Sequence, residues 1–186
     1  MKKVWQLTVL MGLLVVLLAG CIHIPLGDGN KLKLSKDGLE FTDADGGKHS
    51  ITLDEDEETV RFQGFGEGEE GESEWMFGTG ADVPDDFPKD IPIMKDAMII
   101  QSMNINGEMM VMYMTEEPVE HVSDTFRDYL EQNGESAERS ELSYGEEYTA
   151  YHHAAEMTYG RLIAEVFPGE EGGTVVIVTV VQQREE

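Results

Sequence analysis

Alternating apolar and polar residues predict short strands near the start of the chain. The segment "KLKLSKDGLEFTDADGGKHSITL" contains three such alternations, separated by Asp37-Gly38 and by Asp45-Gly46-Gly47. Both separators are typical of hairpin turns, because glycine accepts the positive φ that tight turns require. The sequence therefore predicts a short β-meander over residues 21–60. Its apolar positions are Leu32, Leu34, Leu39, Phe41, Ile51 and Leu53.

The composition changes over residues 61–90, where acidic residues, glycines and prolines replace the alternation. The stretch "GEGEEGESE" offers little apolar surface to offset the entropy lost on ordering. Pro84, Pro88 and the following Pro92 favour extended backbone and oppose helix. We predict an acidic, glycine-rich linker and a proline strap in this region.

A hairpin and a helix are predicted next. Residues 98–105 and 108–115 flank Asn106-Gly107, the preferred two-residue hairpin turn. Between residues 118 and 134, apolar side chains recur at helical spacing, with a proline at the start and a glycine at the end.

Three more strand segments complete the C-terminal region, which we place at residues 91–186. The element order ββαβββ predicts an α+β fold, in which one helix covers an antiparallel sheet. The short β-meander and the acidic linker would precede this domain. The three strand segments are 148–157, 161–167 and 174–181.

The first 20 residues have the three parts of a secretory signal. Lys2 and Lys3 are followed by an apolar stretch at 7–18 and by Ala19 and Gly20. The apolar stretch is shorter than the roughly 18 to 20 residues that a bilayer-spanning helix needs. We therefore predict that residues 1–20 are a signal peptide.

Leu18-Ala19-Gly20-Cys21 resembles the lipobox of bacterial lipoproteins, and all four positions match. The resemblance implies cleavage before Cys21, a diacylglycerol on its thiol, and a further acyl chain such as palmitate on the new amino group. Two or three acyl chains give stable attachment, since each buried methylene contributes about 0.8 kcal/mol. The expected location is extracytoplasmic, lipid-anchored at the cell membrane or outer membrane.

The C-terminal half also resembles a module of uncharacterised envelope lipoproteins. The shared pattern is a strap of prolines and aspartates, an alternating hairpin, a helix and a C-terminal meander. The resemblance implies an α+β fold and a place in the cell envelope, and it implies no activity. The matching residues are Pro84, Asp86, Pro88, Asp90, Pro92, Ala97, Thr115 and Gly134.

The chain is strongly acidic. Its formal net charge of −25 becomes −27 when the two lysines of the leader are removed. Nucleic-acid binding is disfavoured, because a phosphate backbone attracts a basic surface. The acids keep a surface hydrated, as in proteins of saline habitats. Weak cation binding, for example of calcium by the acidic stretches at 43–45 and 54–58, remains the alternative.

The string "EMMVMYM" places several methionines on one face of the predicted hairpin. Met103, Met110, Met112 and Met114 share that face, and we expect it to pack under the helix, with methionine as an adaptable core filler. The alternative is a Cu(I) site, because the thioether of methionine is a soft ligand.

The opposite face of the hairpin carries Ile100, Val111 and Tyr113. These three are the candidate binding surface for an envelope protein partner, since exposed apolar patches mark interaction sites. His152 and His153 point to opposite faces of their strand, which disfavours a chelate, and we expect both at the surface.

Function is less defined than location. The sequence contains no H-E-x-x-H, G-x-S-x-G or P-loop motif, and no cysteine besides Cys21. We expect no cofactor and a non-enzymatic role in binding, scaffolding or sensing at the envelope. The alternatives are a metal-binding envelope protein, through the methionines or the acidic segments, and a hydrolase without a recognisable motif.

Overall fold

The computed structural model describes residues 21–27, 29–54, 56, 58–64, 73–144, 148–169 and 172–182. These residues form twelve β-strands and one helix, α1 (Val119–Asn133). The strands are β1 (Cys21–Gly27), β2 (Asn30–Ser35), β3 (Gly38–Thr42), β4 (Lys48–Asp54), β5 (Thr59–Gln63), β6 (Glu74–Gly78), β7 (Met98–Ile105), β8 (Glu108–Thr115), β9 (Glu135–Tyr144), β10 (Tyr148–Met157), β11 (Gly160–Pro168) and β12 (Thr174–Val181).

All twelve strands belong to one antiparallel sheet. Strands β1 to β8 are neighbours in chain order, and β8 then pairs with β12. Strands β11, β10 and β9 follow outward from β12, so that β1 and β9 are the two edges. The helix α1 makes the connection from β8 to the far edge.

The predicted α+β fold with the order ββαβββ is wrong. The described chain is mostly β, and its N-terminal strands belong to the same sheet as its C-terminal strands. One cause is β9, whose sequence "ESAERSELSY" contains almost no apolar residues. The side chains of residues 135–143 are exposed at the sheet edge, so β9 is held mainly by backbone pairing that leaves no apolar period to detect.

A second cause is the pair β5 and β6, which lies in the region where the acidic composition predicts a linker. Phe62 lies opposite Trp75 and packs edge-on against Phe77 with ring centroids 5.9 Å apart. Such cross-strand aromatic pairs stabilise a hairpin. Because β6 also pairs with β7, it joins the meander to the rest of the sheet. The linker interpretation is wrong for these strands, and residues 65–72 lie outside the described part.

The predicted hairpin turn and helix ends are confirmed. Asn106 and Gly107 have φ values of 52° and 85°, as a type I′ turn requires. The helix starts directly after Pro118, and the N–H of Gly134 donates to the carbonyl of Leu130 at 2.9 Å.

The hydrophobic core lies on one face of the sheet, beneath α1 and the strap. The helix buries Val122, Phe126 and Leu130, and the strap buries Phe87 and Ile91 although residues 79–97 form neither helix nor strand. The sheet residues of this core are Met109, Val111, Tyr113, Tyr151, Ala155, Met157, Leu162, Ala164, Val166, Val176, Val178 and Val180.

Strand β8 therefore points the other way from the predicted arrangement. Val111 and Tyr113 are fully buried beneath the helix layer, whereas Met110 and Met112 are partly exposed on the opposite face. The expectation that the methionines pack under the helix is wrong. Both alternations along "EMMVMYM" are apolar, so the pattern by itself does not decide which one faces the core.

A matched pair of substitutions on β8 tests this orientation. Val111→Asp places a carboxylate in the core, and we expect it to lower the free energy of unfolding by about 3 kcal/mol or more. Met112→Asp places the same carboxylate on the open face one residue away, and we expect a loss of about 1 kcal/mol. Urea denaturation of both variants measures the difference. Equal losses, or a larger loss for Met112→Asp, would contradict the orientation.

Candidate binding surface

The sheet face opposite α1, which we call the outer face, carries a continuous row of aligned side chains. The pairing registers connect one residue of each strand with the next across all twelve strands. Ten of the twelve positions are apolar. In sheet order the row is Ile22, Leu34, Leu39, Ile51, Phe62, Trp75, Met103, Met110, Thr179, Ile163, Ala154 and Glu138.

The methionines form the centre of this outer face. Met103 lies directly opposite Met110, and Met112 and Met114 follow on the same face of β8. Met114 is 37% exposed, and Met103, Met110 and Met112 are partly exposed. We call these four residues the methionine face.

Apolar neighbours extend the methionine face on both sides. Trp75 lies opposite Met103, and Ile177 lies opposite Met112. Met98 lies opposite Met114 and is exposed. Trp75, Ile177 and Met98 are absent from the sites that the sequence predicts. Both strands contain continuous apolar runs, "WMF" and "VVIV", which indicate apolar side chains on both faces of the sheet and could have identified the first two.

The predicted binding surface of Ile100, Val111 and Tyr113 does not form. Val111 and Tyr113 belong to the core, and Ile100 is partly buried. A register shift between Ile99 and Gln101 leaves Ile100 without a partner across β8 and turns Ile99 towards the core beside Tyr113. A bulge of this kind reverses the inside and outside positions along a strand.

The acidic turns show no metal centre. Among the described residues, no group of three or more His, Cys, Asp or Glu side chains is placed to hold a metal ion. A carboxylate oxygen of Asp43 accepts hydrogen bonds from the backbone N–H groups of Asp45 and Gly47 at 3.0 and 2.7 Å. Asp54 accepts one from Asp56 at 3.0 Å. These two acids stabilise turns, and Glu57 of the predicted calcium segment lies outside the described residues.

A polar cleft of about 1450 Å³ opens on the same side of the sheet as α1. Its floor includes an ion pair between Arg61 and Glu74, with 3.2 Å between Nη1 and Oε1. The Ser73 hydroxyl is buried there without a hydrogen-bond partner in the described part of the chain. Acidic side chains outnumber basic ones along the walls, so the cleft is better suited to neutral or cationic molecules than to anions.

His153 is buried, contrary to the expected surface position. It is 1% exposed, and its Nε2 lies 2.9 Å from the Ser123 hydroxyl of α1. Its ring stacks on Tyr151, over which the Arg139 guanidinium lies at 4.9 Å. Because the helix covers this Ser–His pair, it has no access to a substrate. His152 points to the outer face, where its Nδ1 lies 3.7 Å from Glu165.

The pKa of His153 reflects this position. Burial lowers it from 6.5 to about 4, and the positive charges of Arg139, His152 and Arg127 act in the same direction, against the carboxylate of Asp124. The unfolded chain therefore takes up a proton on this histidine near pH 6.5, whereas the folded chain does so only near pH 4. Stability is lost as the pH falls through this range.

Cys21 is the first residue of β1, so the sheet begins directly at the predicted acylation site. The Cys21 side chain and the leader, residues 1–20, lie outside the part that the structure describes. Lipid attachment at Cys21 stays a prediction from the sequence.

Replacing His153 separates its titration from that of the many carboxylates. We expect wild type to lose about 3 kcal/mol of stability relative to His153→Gln between pH 7 and pH 4. Glutamine keeps a hydrogen-bonding group beside Ser123 but does not titrate. Urea denaturation across this pH range gives the two slopes. Parallel curves for wild type and His153→Gln would contradict the assignment.

Comparison with known proteins adds no relative. No protein-family model, curated protein or solved structure matches the chain. A search of the described residues for a helix long and apolar enough to cross a bilayer finds none. A functional interpretation therefore depends on the resemblance of residues 18–21 to a lipobox and on the geometry of the outer face.

Proposed function

We propose that the chain is a lipoprotein, anchored through Cys21, that binds an envelope protein through its methionine face without catalysing a reaction. The observation that carries the binding role is the methionine face with its apolar neighbours Trp75, Ile177 and Met98, all of which are at least partly exposed on the outer face. The described part of α1 and the strap pack on the other side of the sheet, so they do not cover it.

The chemistry of the methionine face favours an apolar partner. Met103, Met110, Met112 and Met114 carry no charge, although the chain as a whole has a formal charge of −25. Methionine side chains are flexible and polarizable, so they adapt to surfaces of different shape. The partner surface that fits best is apolar and poor in charge, because buried unpaired charges would oppose binding.

Site-specific photo-crosslinking tests this role in native envelopes. We expect a photoreactive amino acid at position 112 to give one saturable crosslinked product, and the same probe at Glu131 on the exposed side of α1 to give none. An excess of purified mature chain without the probe should compete for the partner and abolish the product. The same excess of the Met112→Asp chain should not. Because the contact is apolar, the yield should change little between low and high salt.

Two outcomes would contradict the proposal. Equal crosslinking at positions 112 and 131 would show that the methionine face is not selective. A mature chain whose Cys21 carries no lipid by mass spectrometry, or which stays out of the membrane fraction, would remove the anchor.

A Cu(I) site is the second candidate, and the register favours it. Met103 and Met110 are directly opposite, and Met112 is the next residue along the same face of β8. Three accessible thioethers in such an arrangement suit Cu(I), which accepts soft ligands at low coordination number.

Titration with Cu(I) against a competing chelator distinguishes the two candidates. A copper site predicts saturation at one ion per chain, loss of binding in Met110→Leu, and retention in Met109→Leu, since Met109 is buried in the core. A binding face for protein alone predicts no saturable uptake in any of the three chains.

A further inference from the structure

The first two strands carry an apolar surface of their own, at the edge of the sheet. Strand β1 pairs only with β2 in the described chain, and its apolar side chains are largely exposed. Ile22 and Ile24 lie on one face and pair with Leu34 and Leu32 of β2. We call Ile22, Ile24, Leu26 and Leu34 the edge patch, and each of the four is more than 40% exposed.

The two edge strands of the sheet, β1 and β9, differ in their content of charged side chains. Strand β9, at the other edge, carries several charged side chains, including Arg139 and Glu141. Charges of this kind protect an edge from unwanted pairing. Strand β1 has the sequence "CIHIPLG", which contains no Asp, Glu, Lys or Arg. Pro25 and the register shift between Pro25 and Gly27 oppose backbone pairing at this edge. They leave the apolar side chains exposed to water, so β1 is suited to a covered position.

The end of the molecule that contains β1 and β2 carries no net formal charge, unlike the rest of the chain. Residues 21–40 contain three lysines and three acidic residues and are formally neutral. The whole charge of −27 after the leader therefore lies beyond residue 40. Lys33 and Lys36 pair with Glu40 and Asp37 at 3.1 and 2.6 Å. An anionic membrane surface would repel most of the domain but not this end.

The position of Cys21 brings the edge patch next to the predicted lipid. Each residue of a strand advances the chain by about 3.3 Å, so Ile22 to Leu26 lie within about 20 Å of the acyl chains. No spacer separates the two, since β1 starts at Cys21. A second copy of the chain is a less favourable cover, because it would bring two bodies of like charge together.

Sheet twist keeps the edge patch separate from the methionine face. Neighbouring strands of a sheet typically rotate by about 20° to 25°, so over the six steps from β1 to β7 we expect the outer face to turn by more than about 100°. Both regions cannot lie against one flat surface. The methionine face stays free for a partner when the edge patch is covered.

We propose that the edge patch lies in the interfacial region of the lipid bilayer that holds Cys21. Strands β1 and β2 then form a second, reversible membrane contact, which orients the sheet with its acidic part away from the lipid. The inference rests on the proposed anchoring through Cys21. Its chemistry is that of apolar side chains inserted at the level of the headgroups.

Fluorescence quenching by brominated phospholipid tests the contact. Position 75 holds the single tryptophan after the leader, so Trp75→Phe gives a background without tryptophan. Into it we place Ile24→Trp, Leu26→Trp or the control Leu142→Trp on β9. Leu142 is 43% exposed and Ile24 is 41% exposed, and both are on edge strands. Circular dichroism confirms that each variant folds.

The mature lipidated chain is reconstituted into vesicles of phosphatidylcholine and phosphatidylglycerol. We expect the bromolipid to quench positions 24 and 26 several-fold more than position 142, with a blue shift at 24 and 26 only. Equal, weak quenching at all three positions in chains that carry lipid and float with the vesicles would overturn the edge patch while leaving the anchor intact.

A second arm makes the test independent of lipidation. The mature chain with Cys21→Ser receives an N-terminal histidine tag and is bound to vesicles that contain a nickel-chelating lipid. Quenching at positions 24 and 26 in this arm supports the edge patch even if Cys21 proves unmodified in the cell. Its absence overturns the proposal. A blue shift without vesicles, together with a dimer in sedimentation, would show that a second copy covers the patch and would also overturn it.

Discussion

The packing of α1 and the strap against one side of the sheet is the contact on which the rest of the structure depends. Phe126 and Leu130 of the helix and Phe87 of the strap close the core over Val111 and its neighbours. A helix of 15 residues is about 22 Å long, whereas twelve strands span about 53 Å. The helix layer therefore covers only part of one face, and the opposite face receives no layer from the described chain.

This imbalance gives the molecule its two surfaces of interest. Near the centre, the outer face presents methionines and Trp75, which suit an apolar protein partner or a soft metal ion. At the β1 edge, apolar residues lie beside the predicted acylation site at Cys21. The twist typical of a sheet with this many strands would point these surfaces in different directions, so the proposed membrane contact and the proposed partner binding are compatible in one chain. The buried Ser123–His153 pair lies under the helix, and its histidine is expected to lower the stability of the folded chain as the pH falls from 7 to 4.

The sequence predicts local elements better than their assembly. The turn at Asn106-Gly107 and the ends of α1 are encoded by few residues with strong backbone preferences, and both are confirmed. Strand β9 is held mainly by backbone pairing and exposes the side chains of residues 135–143, so the apolar period that marks other strands is missing. The sequence signal of strands β5 and β6 is obscured by the surrounding acids and glycines, although Phe62 and Trp75 lie opposite each other in the sheet.

The orientation of β8 could not be read from the chain for a different reason. Both faces of β8 are apolar. One face carries Met110, Met112 and Met114, and the other carries Val111 and Tyr113. The bulge at Ile100, which has no distinctive sequence, changes the alternation of β7. The predicted surface of Ile100, Val111 and Tyr113 is therefore wrong, because Val111 and Tyr113 face the core. The orientation is decided by the packing of the helix and the strap on one face of the sheet, which the residue pattern of β8 alone does not encode.

The most direct test of this account is the oxidation rate of each methionine in the folded mature chain, measured by mass spectrometry after brief exposure to hydrogen peroxide. Methionine oxidation follows the exposure of the sulfur. The account predicts that Met110, Met112 and Met114 oxidise quickly, while Met109, which is 1% exposed, stays reduced until the chain unfolds. Oxidation of Met109 as fast as Met110, or protection of Met110 and Met112, would contradict a sheet with one packed face and one open face.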